Sequence, residues 1–128
     1  MIFVDTNVFM YAVGRPHPLR AEARAFFEQA VREQMRLATS AEVLQELLHA
    51  YVPVGRIETL DAALTLADSV VQVVWTVEAA DVRLARSLIG RHPGLGARDL
   101  LHVSCCKRRD VTQVKSFDRA LSAAFASA

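Results

Sequence analysis

Four short apolar segments alternate along the chain with longer stretches whose apolar residues recur at helical spacing. The short segments are partly β-branched and predict strands at Ile2–Val4, Arg36–Ala38, Val70–Trp75 and Thr112–Lys115. Regular alternation of strand and helix is typical of layered folds in which the strands form a mainly parallel sheet. The pattern therefore predicts an α/β fold.

The stretches between the strands carry signals for helix ends. Apolar residues at helical spacing predict a helix over Leu19–Val31, and Pro18 suits its first position. Thr39 followed by Glu42 has the spacing of a capping box, and the helix that it begins ends before Pro53. Further helices are predicted over Ile57–Ala67, over Val77–Ile89 with Thr76 as its cap, from near Ala97, and after Asp118.

Length and composition fit one globular domain. The chain has 128 residues, of which 52% are hydrophobic and 23% charged, so we expect a single domain over residues 1–128. No apolar stretch approaches the ~18 residues that a membrane-spanning helix needs, and we expect a cytoplasmic protein with no membrane segment.

The formal net charge is +1, so the strong basic footprint of a DNA-binding domain is missing. Any nucleic-acid chemistry must come from a local cluster of residues.

Two aspartates follow predicted strands. Asp5 comes directly after the first strand, and Asp118 follows the last strand within a few residues. Open parallel sheets bind ligands outside the carboxyl ends of their strands, at the point where strand order reverses. If the first and last strands are neighbours, these two carboxylates face one crevice.

Two further acids lie in predicted helices. Glu46 is at the border of an apolar stripe, with Val43 three residues before it and Ala50 four residues after it. Asp99 lies in the first turn of its helix, on the face that also carries His102. Both acids therefore adjoin apolar sequence instead of lying on a fully solvated face.

Each of the four acids also has a structural explanation. Asp5 and Asp118 suit helix N-caps, and Asp99 suits the positive end of a helix dipole. Glu46 suits an ion pair with an arginine. Taken together, four carboxylates beside apolar sequence are costly to bury unless a cation or hydrogen bonds compensate them. An all-oxygen site without paired cysteine or histidine suits Mg²⁺ or Mn²⁺, and such sites perform phosphoryl chemistry with an activated water.

Four stretches of the chain resemble the motifs of one family. They are IFVDTNVFMYA near the N-terminus, VLQELL around Glu46, ARDLLHVSC around Asp99 and KSFDRAL around Asp118. In this order and spacing they resemble the PIN domain, specifically the VapC ribonuclease toxins of bacterial toxin–antitoxin pairs. The resemblance covers residue 2 to about residue 121. It implies a three-layer α/β/α fold with a mainly parallel sheet of four or five strands.

The resemblance also implies a role for the acids. The family cleaves single-stranded or loop RNA with a divalent-metal acid cluster, leaving 5′-phosphate and 3′-hydroxyl ends. By position, the catalytic cluster here would comprise Asp5, Glu46, Asp99 and Asp118. Asp5 and Asp99 would be the nearest ligands of Mg²⁺, or of Mn²⁺ in its place, and Glu46 and Asp118 would hold water on the metal or a second ion.

The resemblance further implies donors that orient the carboxylates, which are Thr6 or Asn7 and Ser116. Asp118 is the least secure member of the cluster, because the last acid of this family varies. An aspartate before a terminal helix is also a good N-cap, so both interpretations of Asp118 stay open.

The family implies protein partners as well. By analogy, a VapB-like antitoxin would neutralise this protein, and the chain would form a homodimer. Phe9, Met10 and Tyr11 look exposed near the predicted site and are compatible with an interface.

Two other functions compete with an RNA-cutting enzyme. One is a catalytically silent PIN-like module that binds RNA or a partner, although retention of all four acids argues against it. The other is a phosphohydrolase of the haloacid-dehalogenase type, whose nucleophilic aspartate needs a second aspartate two positions later. That position is Asn7 here, which cannot act as the acid.

Some residues near the predicted last helices have no role in the family. Cys105 and Cys106 are adjacent in a predicted helix, where a disulfide between them would be strained, so we expect two small apolar residues. We expect His102 to be structural or solvated.

Basic residues offer contacts for RNA phosphates. Lys107, Arg108 and Arg109 form a cluster, but cations in the last turn of a helix also complement its dipole, and we favour that explanation. Arg15 and Arg20 lie in the loop predicted after the first short helix, nearer the acids.

Overall fold

Residues 1–126, which the computed structural model describes, form a parallel sheet covered by helices. The strands are β1 (Ile2–Val4), β2 (Leu37–Ser40), β3 (Val73–Trp75) and β4 (Gln113–Lys115). The helices are α1 (Thr6–Val13), α2 (Arg20–Arg32), α3 (Ala41–Tyr51), α4 (Ile57–Val70), α5 (Ala79–Ser87), α6 (Ala97–Arg108) and α7 (Arg119–Ala126). The predicted α/β class is confirmed, with four strands within the described residues.

The first and last strands are neighbours. The strand order is β3-β2-β1-β4, and Ile2 of β1 is paired in parallel with Leu37 of β2 and with Gln113 of β4. The chain adds β2 and β3 on one side of β1 and returns to the other side for β4. Strand order therefore reverses between β1 and β4, which is where an open α/β sheet forms its ligand crevice.

Both faces of the sheet are covered. Successive residues of a strand point to opposite faces, and in β1 both Phe3 and Val4 are fully buried. The Phe3 ring stacks on Trp75 of β3 and contacts His102 of α6, so α6 covers that face. The helices pack in two groups, α1–α4 and α5–α7. This is the three-layer arrangement that the sequence resemblance implies.

Two predicted helix caps are wrong by one or two residues. Ser40, and not Thr39, caps α3, because its hydroxyl accepts from the Val43 amide at 3.3 Å. Thr39 lies in β2 and its hydroxyl donates to the carbonyl of Val4 at 2.9 Å. The capping box with Glu42 is therefore absent. Capping hydroxyls compete with sheet neighbours that the local sequence does not reveal.

The start of α5 differs in the same way. Thr76 is not its cap; the N-cap is Glu78, whose backbone amide donates to the Asp81 carboxylate at 2.8 Å. At α2, Pro18 lies before the first turn, and Leu19 is the N-cap. Both helices begin slightly later than predicted.

The predicted third strand is too long at its N-terminal end. Val70 belongs to α4, where it is buried with Ala63 and Ala67 on one helical face. The strand begins at Val73. A β-branched residue here continues a helical apolar stripe, because burial of that stripe outweighs the weak intrinsic preference of valine for strands.

The exposure expected near the N-terminus is partly wrong. Phe9 is fully buried and stacks on Phe27 of α2 at a centroid distance of 5.3 Å, whereas Met10 and Tyr11 are partly exposed. Phe9 is therefore a core residue. Separately, none of the helices in residues 1–126 combines the length and the hydropathy that crossing a membrane requires.

Candidate active site

A cleft of about 270 Å³ opens at the carboxyl ends of β1 and β4. Its walls come from the start of α1, the middle of α3, the first turn of α6 and the loop before α7. The acids that the sequence singles out all line it: Asp5, Glu46, Asp99 and Asp118. Thr6, Asn7, Met10, His49, Ala50 and Arg98 complete the lining.

Asp5 is held by both of its carboxylate oxygens. The strand pairing places it, since its amide donates to the Lys115 carbonyl of β4 at 3.0 Å. One oxygen accepts from the Thr6 amide at 2.8 Å, which makes Asp5 the N-cap of α1. The other oxygen accepts from the Ser116 hydroxyl at 2.6 Å. The capping role and a place in the acid cluster therefore coexist.

The loop after β4 is tied to α1. The Asn7 side-chain nitrogen Nδ2 donates to the Ser116 hydroxyl oxygen at 3.4 Å, and the Phe117 backbone amide donates to the Asn7 side-chain oxygen Oδ1 at 3.2 Å. The Asp118 amide donates to the Ser116 hydroxyl oxygen at 2.9 Å. Ser116 thus joins Asp5 to the segment that carries Asp118.

Asp118 also caps α7. Its carboxylate accepts from the Leu121 amide at 3.1 Å, and its carbonyl accepts from the Ser122 amide at 3.1 Å. Because Asp118 also lines the cleft, both interpretations of this residue agree with the structure. The Asp118 carboxylate uses its Oδ1 to cap α7, and its other oxygen is available to the cleft.

Glu46 is fixed from two sides. Its Oε2 accepts a short hydrogen bond from the hydroxyl of Thr6. Its Oε1 lies 2.9 Å from Nε2 of His102, which is fully buried, yet neither atom makes an aligned hydrogen bond. His102 Nε2 is also 3.7 Å from a carboxylate oxygen of Asp5.

His102 is the residue of this site that the sequence did not predict. The solvated alternative is wrong, and its structural role is joined to the acid cluster. A signal was available, since His102 lies three residues after Asp99 on one face of α6. His102 belongs to the site through its contact with Glu46 of α3. Helical periodicity does not reveal a contact between two separate helices.

Burial raises the pKa values of two carboxyl groups in the cleft. Burial raises the pKa of Asp99 to about 6, and repulsion from Asp5 and Asp118 adds to the shift. Burial also raises the pKa of Asp5, although His102 and the hydrogen bonds from Ser116 and Thr6 act in the opposite direction. Both carboxyl groups are therefore poorly compensated without a further cation.

The pKa shifts of Glu46 and His102 favour the charged form of each side chain. Burial acts to raise the pKa of Glu46, but contact with His102 and the Thr6 hydroxyl hold it below its ordinary value. Burial acts to lower the pKa of His102, but Glu46, Asp5 and Asp99 raise it above the ordinary value. We infer a charged imidazolium beneath a charged Glu46 carboxylate.

The donor set fits a divalent cation. Asp5, Glu46 and His102 each offer one ligand atom, and these atoms lie within 4.8 Å of one another. Asp99 and Asp118 are not in that group but line the same cleft. Within residues 1–126, buried Glu46 Oε1 and His102 Nε2 make no hydrogen bond of good geometry, although they lie 2.9 Å from each other. A histidine binds a metal only in its neutral form, so the protonated His102 would hold Glu46 while the carboxylates bind the ion.

The arginines at the end of α6 are paired with a buried aspartate. Arg108 and Arg109 each place a guanidinium nitrogen within 2.9 Å of the Asp81 carboxylate, and Asp81 is fully buried. Arg109 also covers the Trp75 ring. These two arginines hold α5 against α6, so phosphate binding is not their role in this structure.

The two cysteines are buried thiols in α6, as predicted. Burial raises the pKa of the Cys105 thiol to about 11 and raises that of Cys106 further. Such thiols stay protonated and unreactive at neutral pH.

The chain matches a known family by sequence. The family model for the PIN domain matches residues 2–125. Ribonuclease VapC23 of Mycobacterium tuberculosis is 65% identical over 127 residues, which cover 99% of this chain and 100% of that protein. Ribonuclease VapC13 of the same species is 42% identical over 119 residues, covering 93% of this chain and 91% of that protein.

Solved structures show the same fold. The crystal structure of Mycobacterium tuberculosis VapC20, described as a toxin that cleaves the sarcin–ricin loop, has a TM-score of 0.72 and 21% identity, covering 97% of this chain and 95% of that one. VapBC2 of Rickettsia felis, bound to a DNA fragment from its promoter, has a TM-score of 0.66 and 21% identity, covering 90% and 86%. At these identities the match extends to architecture alone.

Proposed function

The chain belongs to the PIN-domain family, alongside VapC ribonucleases, and we propose that it is an endoribonuclease that cuts RNA with a bound Mg²⁺ or Mn²⁺. One observation carries the proposal. Four carboxylates converge where strand order reverses, and within residues 1–126 no lysine or arginine forms an ion pair with any of them. Burial and then repulsion from Asp5 and Asp118 raise the pKa of Asp99, and a divalent cation would compensate its charge.

The residues would divide the work as follows. Asp5 and Asp99 would be the nearest ligands of the ion, and Glu46 and Asp118 would reach it through water or hold a second ion. When bound, the ion would lower the pKa of a water molecule and stabilise negative charge on the phosphate oxygens. Thr6 would orient Glu46 through its hydroxyl, in the way that outer residues orient metal ligands generally.

Three further residues would complete the site. Ser116 would orient Asp5, and Asn7 would act one step further out, because it bonds to Ser116 and Phe117 and not to a carboxylate. His102 would hold Glu46 from below. Arg98 is exposed at the mouth of the cleft, where it is free to contact an RNA phosphate.

We propose a protein partner for control of this activity. The structural neighbour from Rickettsia felis is described as VapBC2, and by analogy we expect a VapB-like antitoxin to bind and neutralise this chain. Homodimerisation and action in the cytoplasm, where RNA is the substrate, complete the proposal.

The experiment is cleavage of a mixed RNA pool by purified, partner-free protein. We expect cuts in Mg²⁺ or Mn²⁺ that leave 5′-phosphate ends, no cuts with a chelator, and no cuts by Asp99→Ala. Asp61→Ala is the matched control, because Asp61 is an exposed aspartate on α4 away from the cleft. Equal cleavage by Asp99→Ala and Asp61→Ala would refute the assignment. Metal binding without cleavage of any RNA would favour the silent binding module.

A further inference from the structure

Three aromatic rings cluster beside two residues that line the cleft, since Tyr11 follows Met10 and Phe117 precedes Asp118. The Tyr11 and His17 rings stack with centroids 4.4 Å apart, and the Phe117 ring meets Tyr11 edge-on at 5.5 Å. His17 is exposed, whereas Tyr11 and Phe117 are partly exposed. We name Tyr11, His17 and Phe117 the aromatic platform.

The platform shares its support with the acid cleft. Tyr11 lies one helical turn after Asn7 on α1, and the Phe117 amide donates to the Asn7 side chain. Phe117 also stands between Ser116 and Asp118, the two residues that join the loop to the cleft. A chain lying in the cleft and leaving it on this side would pass over the platform.

Core packing does not explain all of the platform. Phe9 and Phe27 form a purely structural pair, since both are at least 95% buried. Tyr11 and Phe117 pack partly against the same core. His17 has no such burial, yet its ring stacks closely on Tyr11 and leaves the pair open to solvent.

Basic side chains lie beside the platform. Lys115 places its ammonium 4.9 Å from the centroid of the Phe117 ring and 3.7 Å from the Glu22 carboxylate, a solvent-accessible ion pair that a phosphate can replace. A groove of about 520 Å³ beside His17 is also lined by Arg20 and Arg24, with Glu28 as its acid. The Arg20 Nε is buried and has no hydrogen-bond partner within the described residues. Cations beside solvent-facing rings are the combination that single-stranded nucleic acid binds.

We propose that the aromatic platform stacks an unpaired RNA base next to the cut phosphate, with Arg20 and Lys115 contacting the flanking phosphates. The identity of the ligand rests on the proposed ribonuclease function. Single-stranded RNA presents splayed bases that stack on aromatic side chains, and every base has a face suited to this contact. The platform would then hold a nucleotide beside the cleft without selecting its base.

The test is RNA binding by Asp99→Ala protein, which is expected to leave the RNA uncut. The probe is a mixed-sequence single-stranded RNA that carries 2-aminopurine, whose fluorescence falls when the base stacks. We expect Tyr11→Leu and His17→Ala each to weaken binding about tenfold, the loss typical of one stacked base, and to abolish the quenching. Tyr11→Phe and His17→Phe keep a ring and are expected to bind within about threefold of the parent.

Two controls separate stacking from other effects. His92→Ala removes a histidine elsewhere, in the segment between α5 and α6, and is expected to bind like the parent. Lys115→Ala is expected to lower the salt dependence of binding by about one counterion, whereas His17→Ala leaves the salt dependence unchanged. His17 is exposed, so His17→Ala tests the proposal even if Tyr11→Leu fails to fold.

The outcomes distinguish this proposal from the proposed function. Normal binding and quenching by folded His17→Ala and Tyr11→Leu would overturn the platform and leave that surface to another occupant, such as a protein partner. Wild-type protein that quenches the probe but never cuts RNA would overturn the ribonuclease proposal and retain the platform. Loss of quenching in the leucine and alanine variants only, with rescue by phenylalanine, supports the platform.

Discussion

At its N-terminal end α6 brings Asp99 and His102 to a cleft shared with other carboxylates, whereas at its C-terminal end it brings Arg108 and Arg109 to a single buried carboxylate, Asp81. Asp81 accepts hydrogen bonds from the Glu78 amide and from the guanidinium groups of Arg108 and Arg109, and these bonds hold its pKa well below the usual range although burial acts to raise it. Within the described part of the chain Asp99 forms no ion pair with a lysine or arginine, and burial raises its pKa to about 6.

The two ends show how to separate structural charge from functional charge. A buried carboxylate that is matched by arginines holds helices together and has no capacity left for a ligand. A group of carboxylates that repel one another is costly unless something binds there, so it marks a site. The predictions below change one end of α6 at a time.

The largest effect is expected at the acid end. Asp5→Asn removes the charge that faces Glu46, His102 and Asp99 but keeps the shape of the side chain. We expect RNA cleavage to fall by more than about a hundredfold, which exceeds the loss typical of residues that only orient a ligand. Cleavage rates at saturating Mn²⁺ measure this, with circular dichroism as the check on folding. A loss below tenfold would argue that Asp5 is only a helix cap.

At the opposite end we expect a loss of stability instead of activity. Asp81→Asn leaves Arg108 and Arg109 with only the more distant and exposed Glu78 carboxylate as a charged partner, and breaking a buried ion pair of this kind costs about 3 kcal/mol. Urea unfolding measures the free energy of unfolding, and cleavage per folded molecule should stay within about twofold of wild type. A variant that is fully stable but inactive would place Asp81 in the active site and contradict the comparison.

His102 is expected to have an intermediate effect. His102→Ala removes the imidazole beneath Glu46, and we expect Mn²⁺ affinity and cleavage to fall about 10- to 100-fold. His102→Gln keeps a hydrogen-bond donor, and partial recovery of Mn²⁺ affinity would identify a positioning role. Calorimetric titration of Mn²⁺ measures the affinity apart from cleavage. Unchanged affinity in both variants would make His102 a packing residue.

The pH dependence should differ between the two ends. A cation needs the ionised form of Asp99, so Mn²⁺ affinity should fall about tenfold per pH unit as pH drops below about 6. The pKa of Asp81 is lowered by folding, so its stabilisation is present above the unfolded value of 3.8 and is lost as pH falls below it. Calorimetry and urea unfolding across this range separate the two. An Mn²⁺ affinity that does not change between pH 7 and pH 5 would contradict the raised pKa of Asp99.

The smallest effect is a gain of stability. In metal-free protein, Asp99→Asn removes a carboxylate whose raised pKa means that folding opposes its charge, so we expect a gain of about 1 kcal/mol at pH 7. Well below the unfolded pKa of 3.8, both the folded and the unfolded state carry a neutral Asp99, and the difference should vanish. Thermal unfolding at the two pH values measures it. A loss of stability at pH 7 would show that Asp99 is compensated after all.

Local sequence signals were enough for the sheet and the placement of the acids. Asp5 follows an apolar strand directly, and the rule for ligand crevices needed only β1 and β4 to be neighbours, which the structure confirms. The four predicted acids line one cleft. Helix periodicity placed Glu46 and Asp99 because their apolar neighbours are close in sequence.

Other features depend on contacts between distant residues. The cap of α3 shifted from Thr39 to Ser40 because the Thr39 hydroxyl bonds to Val4 of the neighbouring strand. His102 became part of the site only through Glu46, on another helix. Such pairings follow from the fold as a whole, so periodicity and capping rules alone do not reveal them.

The most direct test of the account is the position of the metal. Crystals of the protein soaked in Mn²⁺ would be measured for anomalous scattering, which locates the ion without reference to activity. The account predicts a peak in the cleft within bonding distance of Asp5 and Asp99, and none beside Asp81. A cleft without a peak at saturating Mn²⁺, or with a peak only outside it, would contradict the claim that the crowded carboxylates are a metal site.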